Sequence, residues 1–594
     1  MSGENALIKG GIIVDGTGAP AFPADIRVAN GRIAEIGQDL PPKGETVFDA
    51  SGCHVTPGFI DTHTHYDASL FWEPACDPIT HHGVTTVLIG NCGLGLAPIR
   101  PAEVAGLSRL FAYIEDLPQE VFALAVPWNW ESFPDYVAAM KARPFGVNVT
   151  ALVSHSLLRM FVMGKHAWSR AAIEQERYAI ADLADQALAA GAMGISTSRF
   201  DRDPDGKQVP SFFADEAELE ALFQVAARHG AIFQMIPDLS TLETHVADLR
   251  RMGRLSARYD TPVISNAIYE RPDDPAYAPA LLDVAREIRA AGARFHFLAS
   301  PRSIELLVNF HQCMVFIYVP AWNELVQAGL SREEKLAKLR SPEWRARARA
   351  DWDAVTEGFP SGGMERMFRI VKVGKPELDE HLGKTFDTIL DQKTGHVSDI
   401  LADWVLDNDL DAEFVYPFTN TDLDMVAKLL AAEESIISGS DAGAHIGMFD
   451  GAGDTTLVLT RHVRDRGDLS LESAVRRMTL DQAQLLGLAD RGVIRPGAIA
   501  DLAIFDLDRL EWASESRVKD VPGGNMRFRR ESKGFRYTFI AGTLVQQDGV
   551  WTHALPAEFL GGEASRRSSK DSPDGPCERR PGRPEALKNT GRVQ

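Results

Sequence analysis

Gly58-Phe59-Ile60-Asp61-Thr62-His63-Thr64-His65 is the stretch on which the reading of the chain turns. An apolar strand ends in two histidines separated by one residue. On a strand, residues i and i+2 point to the same side, so His63 and His65 project together while Thr64 faces away. Two neutral imidazoles on one face can bind one divalent cation, although the same spacing also arises by chance on exposed strands. Pro57-Gly58 marks a turn before the strand, which stays apolar up to Asp61. The histidines fall at its C-terminal end, where parallel α/β folds place their chemistry.

From residue 58 onward, strand, loop and helix alternate. Apolar runs at 58–61, 84–90, 148–153, 193–197, 231–236, 262–265, 294–299, 413–416 and 435–439 are separated by helical patterns, among them 171–190, 215–228, 277–290, 398–408 and 421–431. Asp215 with Glu218 three residues on suits a capping box, and Gly191 and Gly230 stop two of the helices. This alternation predicts βαβ units and a parallel sheet. Nine candidate strands stand where a closed barrel needs eight, so one is misread or lies in an insertion. Residues 93–146, with Trp128, Trp130, Phe133 and Tyr136, make a connection too long for an ordinary loop and are expected to fold over the barrel mouth. The two tryptophans there suggest an apolar acyl or aryl group in the substrate. Residues 320–396 are dense in charge and helix formers, and predict a solvated helical insertion.

The flanks read differently. Residues 6–56 are short strands (6–9, 11–14, 25–28, 32–36, 46–49), with a hairpin signal at Asn30-Gly31. Strand-like sequence returns after residue 488, at 492–506 behind a Pro496-Gly497 turn and at 535–546. Together they predict one small sheet, built from 1–57 and 489–555, beside a barrel of 58–488. Residues 562–594 are rich in Arg, Ser, Pro and Gly and are expected to be disordered.

Composition narrows the class. The chain of 594 residues is 45% hydrophobic and 24% charged, ordinary for a soluble globular protein. With 83 acidic against 62 basic residues its net charge is −21, which argues against a nucleic-acid partner and against an anionic membrane surface. Cys53, Cys76, Cys92, Cys313 and Cys577 are few and scattered, so no disulfide framework is expected and a cytoplasmic location fits. The N-terminus lacks the features of a secretory signal, and no apolar run reaches the ~18 residues of a membrane span. The size and acidity leave room for a homo-oligomer.

Three further strand ends deliver residues of the same chemistry. Val84 to Gly93 ends in Asn91-Cys92-Gly93, Ser438 to His445 carries Asp441 and then His445, and Asn148 to Ser156 ends in Ser154-His155. Singly, Cys92 reads as a core cysteine and Asp441 as a helix cap. Four strand ends supplying metal-type ligands together read as a site.

These motifs, with Pro496-Gly497-x-x-Ala500-Asp501, resemble the amidohydrolase superfamily, and Gly90-Asn91-Cys92-Gly93 points within it to the N-acyl-D-amino-acid deacylase (D-aminoacylase) branch. The resemblance runs from about residue 6 to residue 555. It implies an α/β fold, a (β/α)8 TIM-like barrel with a small composite β-sandwich, holding zinc at the C-terminal mouth. By motif match His63, His65, Cys92 and Asp441 are the ligands. A zinc ion lowers the pKa of bound water towards ~7 and polarises a carbonyl, and Asp441 is the expected general base. The branch carries metal histidines at the ends of the fifth and sixth strands, where this chain reads Ile232 to Asp238 and Val263 to Ile268 without one, and the lysine that would grip the substrate carboxylate is also missing. One zinc ion rather than two is therefore expected. His155 is expected in a catalytic, second-shell or oxyanion role against the alternative of a core histidine. His445 stands for substrate contact or structural support. Gln234 and Asn266 are expected to bind a substrate carbonyl or a water, and Arg302 a carboxylate unless it lies at the surface. The expected reaction is hydrolysis of a small-molecule amide, an N-acyl amino acid or relative, with a hydantoin- or imide-like ring or a barrel without chemistry as alternatives.

Overall fold

The computed structural model describes residues 5–561 except 312, 314, 327–328 and 356–360, so the expected disorder of 562–594 lies outside the described residues. Eight parallel strands follow one another around a curled sheet: β1 (Phe59–Asp61), β2 (Val84–Ile89), β3 (Asn148–Ser154), β4 (Gly194–Ser198), β5 (Ile232–Ile236), β6 (Val263–Ser265), β7 (Phe295–Ala299) and β8 (Ser435–Ile437). Helices Glu174–Ala190, Glu216–His229, Leu242–Tyr259 and Tyr277–Ala290 lie between consecutive strands from β3 to β7. Side-chain alternation divides each strand between two cores. Ile60, Leu88, Leu152, Ile232, Ile264, Leu298 and Ile436 meet inside the barrel. Neighbours such as Phe59, Val87, Val153, Ile195, Phe233, Phe295 and Ile437 pack outward against the helices. Two residues beyond the inner apolar layer the chain turns polar, at Thr62, Ser154, Gln234, Asn266, Ser300 and Ser438. That change of chemistry is the floor of the site.

The backbone ladder runs from β1 to β8, and among the described residues these two strands do not pair with each other. The seam is closed just beyond them. Thr62 N donates to Ser438 Oγ (3.0 Å), Asp441 N to His63 O (3.3 Å) and His65 N to Ala442 O (2.8 Å), with a bridge between Thr64 and Ala442.

The surplus strand candidate, 413–416, belongs to Glu413–Thr419, the middle of a three-stranded antiparallel sheet with Ile304–Val308 and Arg369–Lys372. The insertion after β7 is therefore larger than 320–396 and is not purely helical. It encloses its own core around Phe310, Phe316, Trp322, Trp344 and Phe414.

Both ends of the chain share one nine-stranded sheet, joined where Leu502–Phe505 pairs antiparallel with His54–Pro57. The stretches 6–9 and 11–14 are one strand, Ala6–Ile13, interrupted by an irregularity between Ile8 and Gly11. Asn30 (φ 52°) and Gly31 (φ 75°) make the expected tight turn. A polar hairpin, Glu511–Val521 with Asn525–Lys533, leans on the barrel mouth. Phe528 N donates to Ile446 O (2.9 Å), and Arg530 N to Asp450 Oδ2 (2.7 Å). No helix among the described residues is long and apolar enough to cross a membrane.

Candidate metal centre at the barrel mouth

The centre is assembled from the two strands flanking the seam and the one beside them. After β1 the backbone N–H of His63 donates to Asp61 Oδ1 (3.1 Å), which also accepts from Ser438 Oγ (2.7 Å), so the first histidine leaves the strand in a fixed direction. After β2 the chain makes a turn that only glycine allows. Gly90 has φ 77°, and a Cβ there would lie 2.4 Å from Leu152 O; Gly93 has φ 69° and is pressed against Thr197 and Ser198. Between them Asn91 ties the turn to Leu88 O (2.9 Å) and Thr64 O (3.3 Å), and Cys92 is itself left-handed at φ 62°. After β8, Asp441 is also left-handed (φ 52°) and turns its carboxylate back over β1.

Four ligand-type side chains converge as a result. Cys92 Sγ is 3.3 Å from His63 Nε2 and 3.7 Å from His65 Nε2, and Asp441 Oδ1 is 3.1 Å and 3.9 Å from the same two nitrogens. Both histidines and Cys92 are buried. The sulfur and the two imidazole nitrogens lie close enough together to share one ion, and the Asp441 carboxylate reaches both nitrogens from the other side of the seam. The donor set of two nitrogens, one thiolate and one carboxylate suits tetrahedral zinc. The residues present therefore fit the ion that the motifs imply.

The electrostatics agree. Burial pushes the Cys92 thiol well up, helped by the charges of Glu115, Asp201 and Asp441. Burial also raises Asp441, but the hydrogen bond and charge of His63, with His65 and His445, outweigh it and hold the carboxyl below the usual range. Glu115, which nothing in the sequence singles out, is fully enclosed beside them. One carboxylate oxygen is 3.4 Å from His65 Nδ1, the other is 3.9 Å from His445 Nε2, and its carbonyl accepts from the His445 N–H (2.6 Å). Burial, then Asp441, Asp201 and Asp67, push its carboxyl well up. A carboxylate behind a ligating imidazole orients the ring. Glu115 escapes notice because it caps a surface-like helix, Val104–Ile114, inside the long 93–146 connection.

The other candidates fall in different places. His445 stands at the mouth with its ring against Phe449 and Glu115. Gln234 and Asn266 are brought to Cys92, and their amides face each other and the cysteine. His155 is not brought to the cluster: Nδ1 is 3.0 Å from Thr197 Oγ1 and Nε2 is 2.8 Å from Glu218 Oε1. Glu218 also holds Arg159, so its carboxylate is diverted from the reciprocal half of the capping box, and only Asp215 caps the helix Glu216–His229. Arg302 is buried, not at the surface. It pairs with Asp454 (3.0 Å), donates to Ser440 O (2.6 Å) and lies 4.3 Å over the Phe449 ring, so its guanidinium is engaged by the protein and not directed to a substrate carboxylate. Trp128 and Trp130 pack on Phe122, Phe71 and Tyr136 and line the core of the connection.

A model of the amidohydrolase family matches residues 46–546. The chain is 29% identical over 570 residues to an N-acyl-D-glutamate deacylase of Alcaligenes xylosoxydans xylosoxydans, covering 94% of this chain and 97% of that protein. It is 28% identical over 517 residues to the D-aminoacylase of the same organism, covering 84% and 87%. Among solved structures, the N-acyl-D-glutamate deacylase of Bordetella bronchiseptica, complexed with zinc and a phosphonate mimic of the tetrahedral intermediate, superposes with a TM-score of 0.65 at 25% identity, covering 94% of this chain and all of that one. The chain thus belongs to the amidohydrolase family, in its D-aminoacylase-like branch, and is a metal-dependent hydrolase acting on carbon–nitrogen bonds other than peptide bonds.

Proposed function

We propose that this enzyme hydrolyses the amide of an N-acyl amino acid or a related small amide, with His63, His65, Cys92 and Asp441 holding one zinc ion and Asp441 serving as general base. The observation that carries this reading is the convergence of the four side chains, from the ends of β1, β2 and β8, to separations of 3.1–3.9 Å. His63, His65 and Cys92 form the one group of three or more ligand-type side chains close enough to share an ion among the described residues, which favours a single metal. When bound, zinc supplies Lewis acidity towards a carbonyl and acidifies water.

The chain's own residues do the rest. Asp441 takes a proton from the attacking water and delivers it to the departing nitrogen. The polar floor at Gln234 and Asn266 and the ring of His445 bound the space in which the amide lies. The relatives named above act, by their names, on N-acyl-D-amino acids, which makes that class the first to try.

The test is a hydrolysis screen of N-acyl-D-, N-acyl-L- and aryl-amide compounds with added zinc, together with metal analysis. Stoichiometric zinc and turnover are expected, with turnover lost in His63→Ala and falling about 10²–10⁴-fold in Asp441→Ala. Protein without zinc, or variants as active as the parent, would sink the reading.

A further inference from the structure

Three side chains from three strand ends form a closed relay around Cys92. The Cys92 backbone N–H donates to Gln234 Oε1 (2.9 Å), Gln234 Nε2 donates to Asn266 Oδ1 (2.5 Å), and Asn266 Nδ2 donates to Cys92 Sγ (3.6 Å). An amide side chain on its own can point either way. Here its polarity is dictated, because a backbone N–H is only ever a donor. Gln234 must turn its oxygen to Cys92 N and so its NH2 to Asn266. Asn266 must then offer its oxygen to Gln234, which leaves its NH2 for the sulfur. Reversing either amide would set like groups face to face, and reversing Asn266 would also put a carbonyl oxygen against the sulfur.

We propose that Gln234 and Asn266 are positioning residues that hold the Cys92 side chain aimed at the metal centre, and not contacts for the substrate. The proposal rests on the metal-centre reading above and assigns the two amides a task within it. Cys92 needs such support. Its left-handed backbone (φ 62°) is one that a side chain with a Cβ adopts at a cost, and the following N–H, of Gly93, is pinned separately to Ser196 Oγ (3.2 Å). The sulfur is buried beside His63 Nε2 (3.3 Å) and His65 Nε2 (3.7 Å). A hydrogen-bond donor at the sulfur fixes the direction of its remaining lone pairs. Gln234 is completely buried, so no water competes at the backbone end of the relay.

The test uses full-length protein stripped of metal by a chelator and reloaded with Co(II), which occupies similar sites and gives a sulfur-to-cobalt charge-transfer band. A hydrogen bond to the thiolate lowers its donor orbital, so losing that bond moves the band to longer wavelength. Asn266→Leu removes the donor at nearly constant volume. Gln234→Met opens the relay one residue away from the sulfur. Both are expected to shift the band to longer wavelength and to weaken Co(II) binding about 10–100-fold. The shift in Gln234→Met is the discriminating result, since a residue that merely fills space would not move it, and either variant suffices if the other fails to fold. An unchanged band and affinity in a folded variant overturns the relay while leaving the metal centre standing. A parent protein that binds Co(II) with no such band removes Cys92 from the centre and overturns both.

Discussion

Asp441 and Glu115 are both enclosed carboxyls at the barrel mouth, and they behave oppositely because of what faces them. Asp441 looks onto three imidazoles and stays ionised, whereas Glu115 meets other carboxylates and is pushed well up by burial and by them. Glu115→Leu should lower zinc affinity about 10–100-fold, read by competition with a chromophoric chelator, because it removes the carboxyl that stands 3.4 Å from His65 Nδ1 and 3.9 Å from His445 Nε2. His155 gives a contrasting expectation. With both nitrogens engaged in the core, His155→Phe should lower stability by about 1–3 kcal/mol in denaturant unfolding and leave the turnover of the folded fraction largely intact. A loss of about 10²-fold in that fraction would return His155 to a catalytic role. The residues of the candidate centre were legible because histidines at i, i+2, Cys92 between two glycines and Asp441 past Gly439 all sit where an apolar run stops. The engagement of Arg302 was not, because its partners Asp454 and Ser440 lie 152 and 138 residues further on.

Elements whose partners are close in sequence were read well, and those paired at long range were not. The helix Glu216–His229 follows the apolar period and its caps almost to the residue, and Tyr277–Ala290 follows the apolar period alone. The run at 413–416 was visible as a strand, but its neighbours Ile304–Val308 and Arg369–Lys372 are dozens of residues away, so its place outside the barrel could not be read. The hairpin Glu511–Lys533 escaped for another reason: its burial pattern is mostly exposed, and its alternation lacks an apolar face. The insertion's separate core makes an independent prediction. Trp322 is fully buried and donates from Nε1 to Ser398 Oγ (2.8 Å). Trp322→Ala should cost about 3–5 kcal/mol and speed hydrogen exchange in Arg332–Arg340 and Pro342–Asp353, with zinc affinity unchanged. A matching loss of metal would show instead that insertion and barrel fold as one unit.

Across the molecule, the fold class followed from the alternation of strand and helix, while the way the ring is finished did not. The two strands at the seam have no ladder between them, and the hydrogen bonds that join them come from the loops carrying His63, His65 and Asp441. The ion those residues would hold is thus also the clasp of the hoop, fastening two edges that lie 376 residues apart in sequence at Thr62 and Ser438. Unfastening and release then become one motion. With chelator in excess, the rate of zinc loss should stop depending on chelator concentration and settle at the rate at which the seam springs open, the same rate at which the amides of Thr62, His65 and Asp441 exchange with solvent. Zinc loss that keeps rising with chelator, past the exchange rate of those amides, would mean that the ion leaves through an intact ring.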